Sequence, residues 1–145
     1  MLNRLKVSLK RDEALRATRV TVGKMRLVYL LIADKRLKYK GGKSRIAYIG
    51  TTKKGVSRIA QSVAFRAEQI LSLRGVRTFH VRIVTCKPRQ KVETWKKLER
   101  GLLLCFRERF GEVPKCNSHG KRMKETDEFH YFARKGVRNV IDELS

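Results

Sequence analysis

Residues 27–33 read Leu-Val-Tyr-Leu-Leu-Ile-Ala, a nearly continuous apolar run, and residues 45–50 read Arg-Ile-Ala-Tyr-Ile-Gly. Both have the length of a buried strand. The basic stretch between them, Asp34 to Ser44, carries Gly41 and Gly42 and reads as a loop, so the two runs predict an antiparallel pair. Beyond Gly55 the period changes. Val56, Ile59, Ala60, Val63, Ala67, Ile70 and Leu71 recur at helical spacing, predicting an amphipathic helix to about Leu73, with Gly75 as its stop. Residues 78–85 set Phe79, Val81 and Ile83 against His80, Arg82 and Val84, a third strand that Pro88 breaks. A second long helix is predicted from about Lys91 to Arg109, with Trp95, Leu98, Leu102, Leu103 and Phe106 on one side. Gly111 and Pro114 end it. Phe129 to Phe132 reads as a short strand and Gly136 to Leu144 as a last helix. Near the start, Asp12 is placed to cap a short helix through Arg19. The core order of strand, strand, helix, strand, helix predicts an α+β fold, with helices flanking a small, mainly antiparallel three-stranded sheet.

The chain has 145 residues, of which 41% are hydrophobic, enough for a single domain with a core. No repeat or linker divides it. Its 36 Lys and Arg against 13 Asp and Glu give a formal net charge of +23. So large an imbalance costs a compact domain self-repulsion and points to a polyanionic partner, nucleic acid first. No apolar run approaches the roughly 18 to 20 residues a membrane span needs, and the first ten residues do not resemble a signal peptide. Three cysteines, Cys86, Cys105 and Cys116, are too few for a disulfide framework, and a cytoplasmic location is expected. The charge is also unevenly spread. From Lys35 to Ala67 there is no acidic residue, while ten Lys and Arg fall there, as a phosphate-facing surface requires.

Four side chains stand out. Glu99 lies four residues after Trp95, with Leu102, Leu103 and Phe106 at the following helical steps. That spacing puts a carboxylate on or beside the apolar face. It either needs a cation, a metal or a proton there, or sits at the edge of the stripe beside Lys96 and the neighbours of Arg100. Tyr29 and Tyr48 fall mid-strand, where tyrosine is also an ordinary packing residue, and Arg58 opens the first helix.

In order, Leu27-Val28-Tyr29, Tyr48-Ile49-Gly50, Arg58, Glu99 and the closing Pro114-x-x-Asn117 resemble the GIY-YIG nuclease superfamily over residues 26–120. The second motif matches in all three letters and the first keeps its tyrosine. The ten-residue step from Tyr48 to Arg58 also agrees. The resemblance implies a DNA endonuclease that uses one divalent cation, Mg2+ or Mn2+, held by Glu99. It gives Tyr29 the proton of the attacking water, Arg58 the scissile phosphate, and Tyr48 the orientation of water or phosphate. Asn117 would brace the site, and Gly50 would let the chain turn tightly beside the phosphate. Ser62 stands one helical turn after Arg58, where the family often places His or Tyr, and serine is a poor base. The alternative is therefore a catalytically inactive DNA- or RNA-binding module of the same fold, acting as monomer or dimer. A third reading is a basic protein assembling with structured RNA. The segment between the two tyrosines is long, and its Lys38, Lys40, Lys43 and Arg45 are expected to touch nucleic acid with Lys53 and Lys54. Arg107 to Val113 has the look of an insertion. Gly41-Gly42-Lys43-Ser44 matches only the end of a phosphate-binding loop and precedes a strand rather than a helix. Cys116 and His119 lack a second ligand pair for zinc.

Overall fold

The computed structural model describes residues 3–14, 16 and 25–145. Strand β1 (Leu27–Tyr39) is buried at every position from Leu27 to Ala33. Successive strand side chains point to opposite faces, so such a run requires both faces of the sheet to be covered. β1 is accordingly the central strand. It pairs antiparallel with β2 (Gly42–Thr52) on one side and with β3 (Phe79–Val84) on the other, giving a three-stranded sheet of order β2-β1-β3. Helices α1 (Val56–Leu71) and α2 (Thr94–Phe110) each contact both β1 and β2. A single turn, α3 (Glu128–Tyr131), and α4 (Arg134–Leu144) pack on α2. This is the expected α+β layout. Among the described residues no helix is long and apolar enough to cross a membrane.

Several local expectations change. The segment from Asp34 to Ser44 is mostly strand, with a tight turn only at Lys40 and Gly41. Leu37 and Tyr39 are buried and Lys38 exposed, a strand alternation hidden by the surrounding charges and by register irregularities after Leu31. The extended hairpin explains the apparent insertion at Arg107. Arg107 to Phe110 form the last turn of α2 and Gly111 to Val113 the segment after it, and the hairpin tip docks against both. The Gly41 amide donates to the Phe110 carbonyl at 2.9 Å, and the Lys40 amide to Glu112 Oε2 at 2.8 Å. A Cβ on Gly41 would meet the Phe110 backbone at 3.1 Å, so glycine permits this approach. The rings of Tyr39, Phe106 and Phe110 fill the joint, with centroids 4.7 to 5.9 Å apart.

Helix α2 begins at Thr94 rather than near Lys91, because Lys91 holds φ at +60° inside the turn closed by the Arg89–Val92 bridge. Residues expected as a strand at Phe129 form helix α3 instead. The Glu128 carboxylate is fully buried and takes Arg100 Nε at 2.5 Å and the Thr126 amide at 2.8 Å, tying this turn to α2. Burial alone would raise that carboxyl, but Arg100 and Thr126 hold it down to about 2. The short helix expected from Asp12 to Arg19 falls largely outside the described residues, and residues 12–14 are not helical.

Candidate functional site

Strand register brings the two motif tyrosines together. Tyr29 pairs with Gly50, and Tyr48 lies two residues before Gly50 on the same face. Their ring centroids are 5.9 Å apart, and a hydrogen bond links the side chains. Both rings lie over Gly50, where a Cβ would come within 2.5 Å of Tyr48 Cε1 and 3.0 Å of Tyr29 Cζ. Gly50 therefore makes no tight turn, contrary to what the resemblance implies. It is an in-strand residue whose missing side chain leaves room for two phenols. Burial, then the charge of Tyr29, push the Tyr48 hydroxyl up to about 12, against the opposing effect of Arg66.

Helix α1 supplies the facing wall. Arg58, Ser62 and Arg66 follow at four-residue intervals and share one helical face. With Tyr29, Tyr48, Thr51, Lys53, Lys54 and Phe65 they line a cleft of about 520 Å3. Arg58 is exposed there, and its Nη1 donates to Gln61 Oε1 at 2.9 Å. The Arg66 guanidinium sits 3.8 Å from the centroid of the Tyr48 ring and donates to the Cys116 carbonyl at 3.1 Å.

Glu99 does not line the cleft. Its side chain is 16% exposed, hydrogen-bonds the Thr51 side chain, and lies 3.9 Å from His119 Nε2. Glu99 therefore touches the cleft through Thr51, which lines it, and its charge also acts on the Tyr48 hydroxyl. Burial raises this carboxyl, against the opposing pull of His119, Thr51, Lys96 and Arg100. The pairing that an edge position would give is not made. Lys96 binds Glu93 at 2.7 Å and Arg100 binds Glu128, so His119 is the nearest ion-pair partner of Glu99 among the described residues. A half-hidden carboxylate without a close cation suits a hard divalent ion, which takes one carboxylate and completes its shell with water and phosphate oxygens. No group of three or more His, Cys, Asp and Glu is placed to hold a metal among the described residues.

Asn117 braces the strand that carries Tyr48. Its buried amide accepts from the Ile49 amide at 3.0 Å and donates to the Ile49 carbonyl at 2.9 Å, and the Cys116 amide adds a bond to the Ala47 carbonyl. Ile49 lies between Tyr48 and Gly50, so the outer edge of β2 is pinned where the site needs it.

The six basic residues expected to touch nucleic acid divide. Lys53 and Lys54 line the cleft. Lys38, Lys40 and Lys43 lie at the hairpin tip, on the order of 25–30 Å from Tyr29 along the strand. Arg45 lies close enough to His80, with Arg82, for the two cations to lower that imidazole after burial has done so. None of the ten cations from Lys35 to Arg66 makes an ion pair among the described residues. Sequence reading missed Arg66, Thr51 and Phe65. Arg66 was within reach, being two helical steps from Arg58, whereas Thr51 is visible only through its contact with Glu99. No family model matches this chain, and no curated protein or solved structure shows significant similarity to it.

Proposed function

We propose that this chain is a GIY-YIG-like endonuclease that hydrolyses DNA phosphodiester bonds with one divalent cation, Mg2+ or Mn2+. One observation carries the reading. Tyr29, Tyr48 and Arg58 come from three separate elements, yet line a single cleft rimmed by Lys53 and Lys54, cations with no carboxylate partner among the described residues. Arg58 binds the scissile phosphate and offsets its growing charge. Tyr48 stays protonated at neutral pH and turns its single proton toward Tyr29, leaving its hydroxyl oxygen to orient a water. Tyr29, acting as the phenolate that the Tyr48 hydroxyl stabilises, accepts the proton of the attacking water. Asn117 is a positioning residue, acting through Ile49. A divalent ion, when bound by Glu99, supplies charge neutralisation at the phosphate and a more acidic water.

Purified protein incubated with plasmid DNA and Mg2+ or Mn2+ is expected to nick it. Arg58→Ala is expected to lower the rate by roughly 100- to 1000-fold, and Glu99→Ala to abolish cutting. No cleavage under any condition, or a Glu99→Ala protein that cuts as well as wild type, removes the catalytic reading. A second reading, binding without cleavage, draws on the position of Glu99 behind Thr51 and on Ser62 as a weak base in the cleft wall. It predicts affinity that falls steeply with salt and is indifferent to Glu99→Ala.

A further inference from the structure

The cleft wall contains one residue that phosphate chemistry leaves unused. Phe65 is 82% exposed, yet it lines the same cleft as Arg58 and Arg66. It makes no ring contact with another aromatic among the described residues. Water penalises so large an exposed ring, and its 82% exposure exceeds the 45% of Leu71 on the same helix, while Ile59 and Ile70 are buried. Phe65 lies seven residues after Arg58, two helical turns on the same side, which puts it roughly 10 Å along the helix axis from that guanidinium. An aromatic face one or two nucleotides from a phosphate-binding arginine is the arrangement by which proteins hold unpaired bases. The cations track the backbone while the ring stacks on a base. Duplex DNA keeps its bases stacked inside the helix and offers such a ring nothing.

We infer that Phe65 is a stacking platform for an unpaired nucleobase next to the phosphate bound at Arg58, so that the cleft selects single-stranded or locally unpaired DNA over intact duplex. This rests on the reading of the cleft as a nucleic-acid site.

Binding of a mixed-sequence single-stranded DNA 12-mer, its duplex, and the same strand carrying abasic positions tests the inference, with divalent ions omitted so that nothing is cut. Wild type is expected to hold the base-bearing strand roughly 5- to 100-fold more tightly than the abasic one. Phe65→Ala should erase that difference while leaving duplex affinity unchanged. Phe65→Trp should keep it, and its indole emission should be quenched by the base-bearing strand alone. Arg58→Ala should weaken all three ligands alike. If Phe65→Ala retains the preference for the base-bearing strand, the platform is refuted, even where Arg58→Ala loses binding. If wild type binds none of the three, both this inference and the nucleic-acid reading fall. Position 65 is exposed on a helix, and alanine is a good helix former, so loss of folding does not confuse the result.

Discussion

Gly50, Asn117 and Glu99 each carry a constraint that a substitution exposes. Alanine at Gly50 sets a methyl against the Tyr48 ring at 2.5 Å, and the Arg66 guanidinium already sits 3.8 Å from the centroid of that ring. Gly50→Ala is expected to cost about 1–3 kcal/mol in urea unfolding, and to lower cleavage further than that loss explains, because it displaces both phenols. Asn117→Ala strands the amide and carbonyl of Ile49 at a buried edge, with an expected loss of about 1–3 kcal/mol, measured the same way. For Glu99 the sign follows from burial. Its carboxyl is raised, so the folded state disfavours the charge, and this handicap grows as pH rises from the ordinary carboxylate range through the raised value. Near pH 7, Glu99→Gln should therefore melt no lower than wild type. Added Mg2+ should raise the melting temperature of wild type and leave Glu99→Gln unmoved. A Glu99→Gln protein that melts lower would mean that Thr51 and His119 already satisfy the carboxylate. The tyrosines, Arg58 and Asn117 were legible in sequence because motif spacing marks them. The reason for Gly50 was not, since a steric exclusion by a ring from a paired strand leaves no local signature.

Among the elements, the long hairpin and the long α2 account for each other. A hairpin arm reaching past the sheet needs a surface to rest on, and the last turn of α2 provides it through Phe106, Phe110 and the Phe110 carbonyl. Helix α3 is held differently, by the fully buried Glu128 and its bond to Arg100. Removing one partner leaves a buried charge uncompensated, so Arg100→Ala is expected to destabilise by about 3–5 kcal/mol. Arg100→Met combined with Glu128→Leu should recover much of this, which denaturant titration of the single and double variants would reveal. The same carboxyl gives acid sensitivity. Held at about 2 against an ordinary 4.5, Glu128 contributes its full stabilisation above pH 4.5 and loses it as pH falls toward 2. Glu128→Gln should flatten that part of the acid unfolding curve. Sequence periodicity identified α1, α2 and β3 within a few residues. It missed the far half of the hairpin, where Lys35, Arg36 and Lys38 mask a strand alternation carried only by Leu37 and Tyr39.

For the whole molecule, charge is sorted by region. Glu108, Glu125, Asp127, Glu128 and Asp142, on or beside α2, α3 and α4, pair with local arginines and lysines, whereas the cations from Lys35 to Arg66 make no such pair among the described residues. The logarithm of the affinity for DNA should therefore fall linearly with the logarithm of salt concentration, and Lys53→Ala with Lys54→Ala should reduce the slope by about 2. Lys135→Ala on α4 serves as the control and should leave the slope unchanged. An equal effect of the α4 substitution would show that the charge acts diffusely and that the cleft is not its focus.

The amino-acid sequence by itself determined the types and order of the five core elements, the α+β class and the segment where positive charge collects. Each of these depends on periodicity or composition within a short window, and burial of one face imposes that periodicity directly. The tertiary structure alone decided that Phe65 and Arg66 share a cleft with the tyrosines, that Glu99 stands behind Thr51, and that the basic residues divide between the cleft, the sheet and the hairpin tip. Those outcomes depend on strand register and on contacts between segments far apart in the chain. A one-residue change of register would move every side chain of a strand to the opposite face without altering its local pattern.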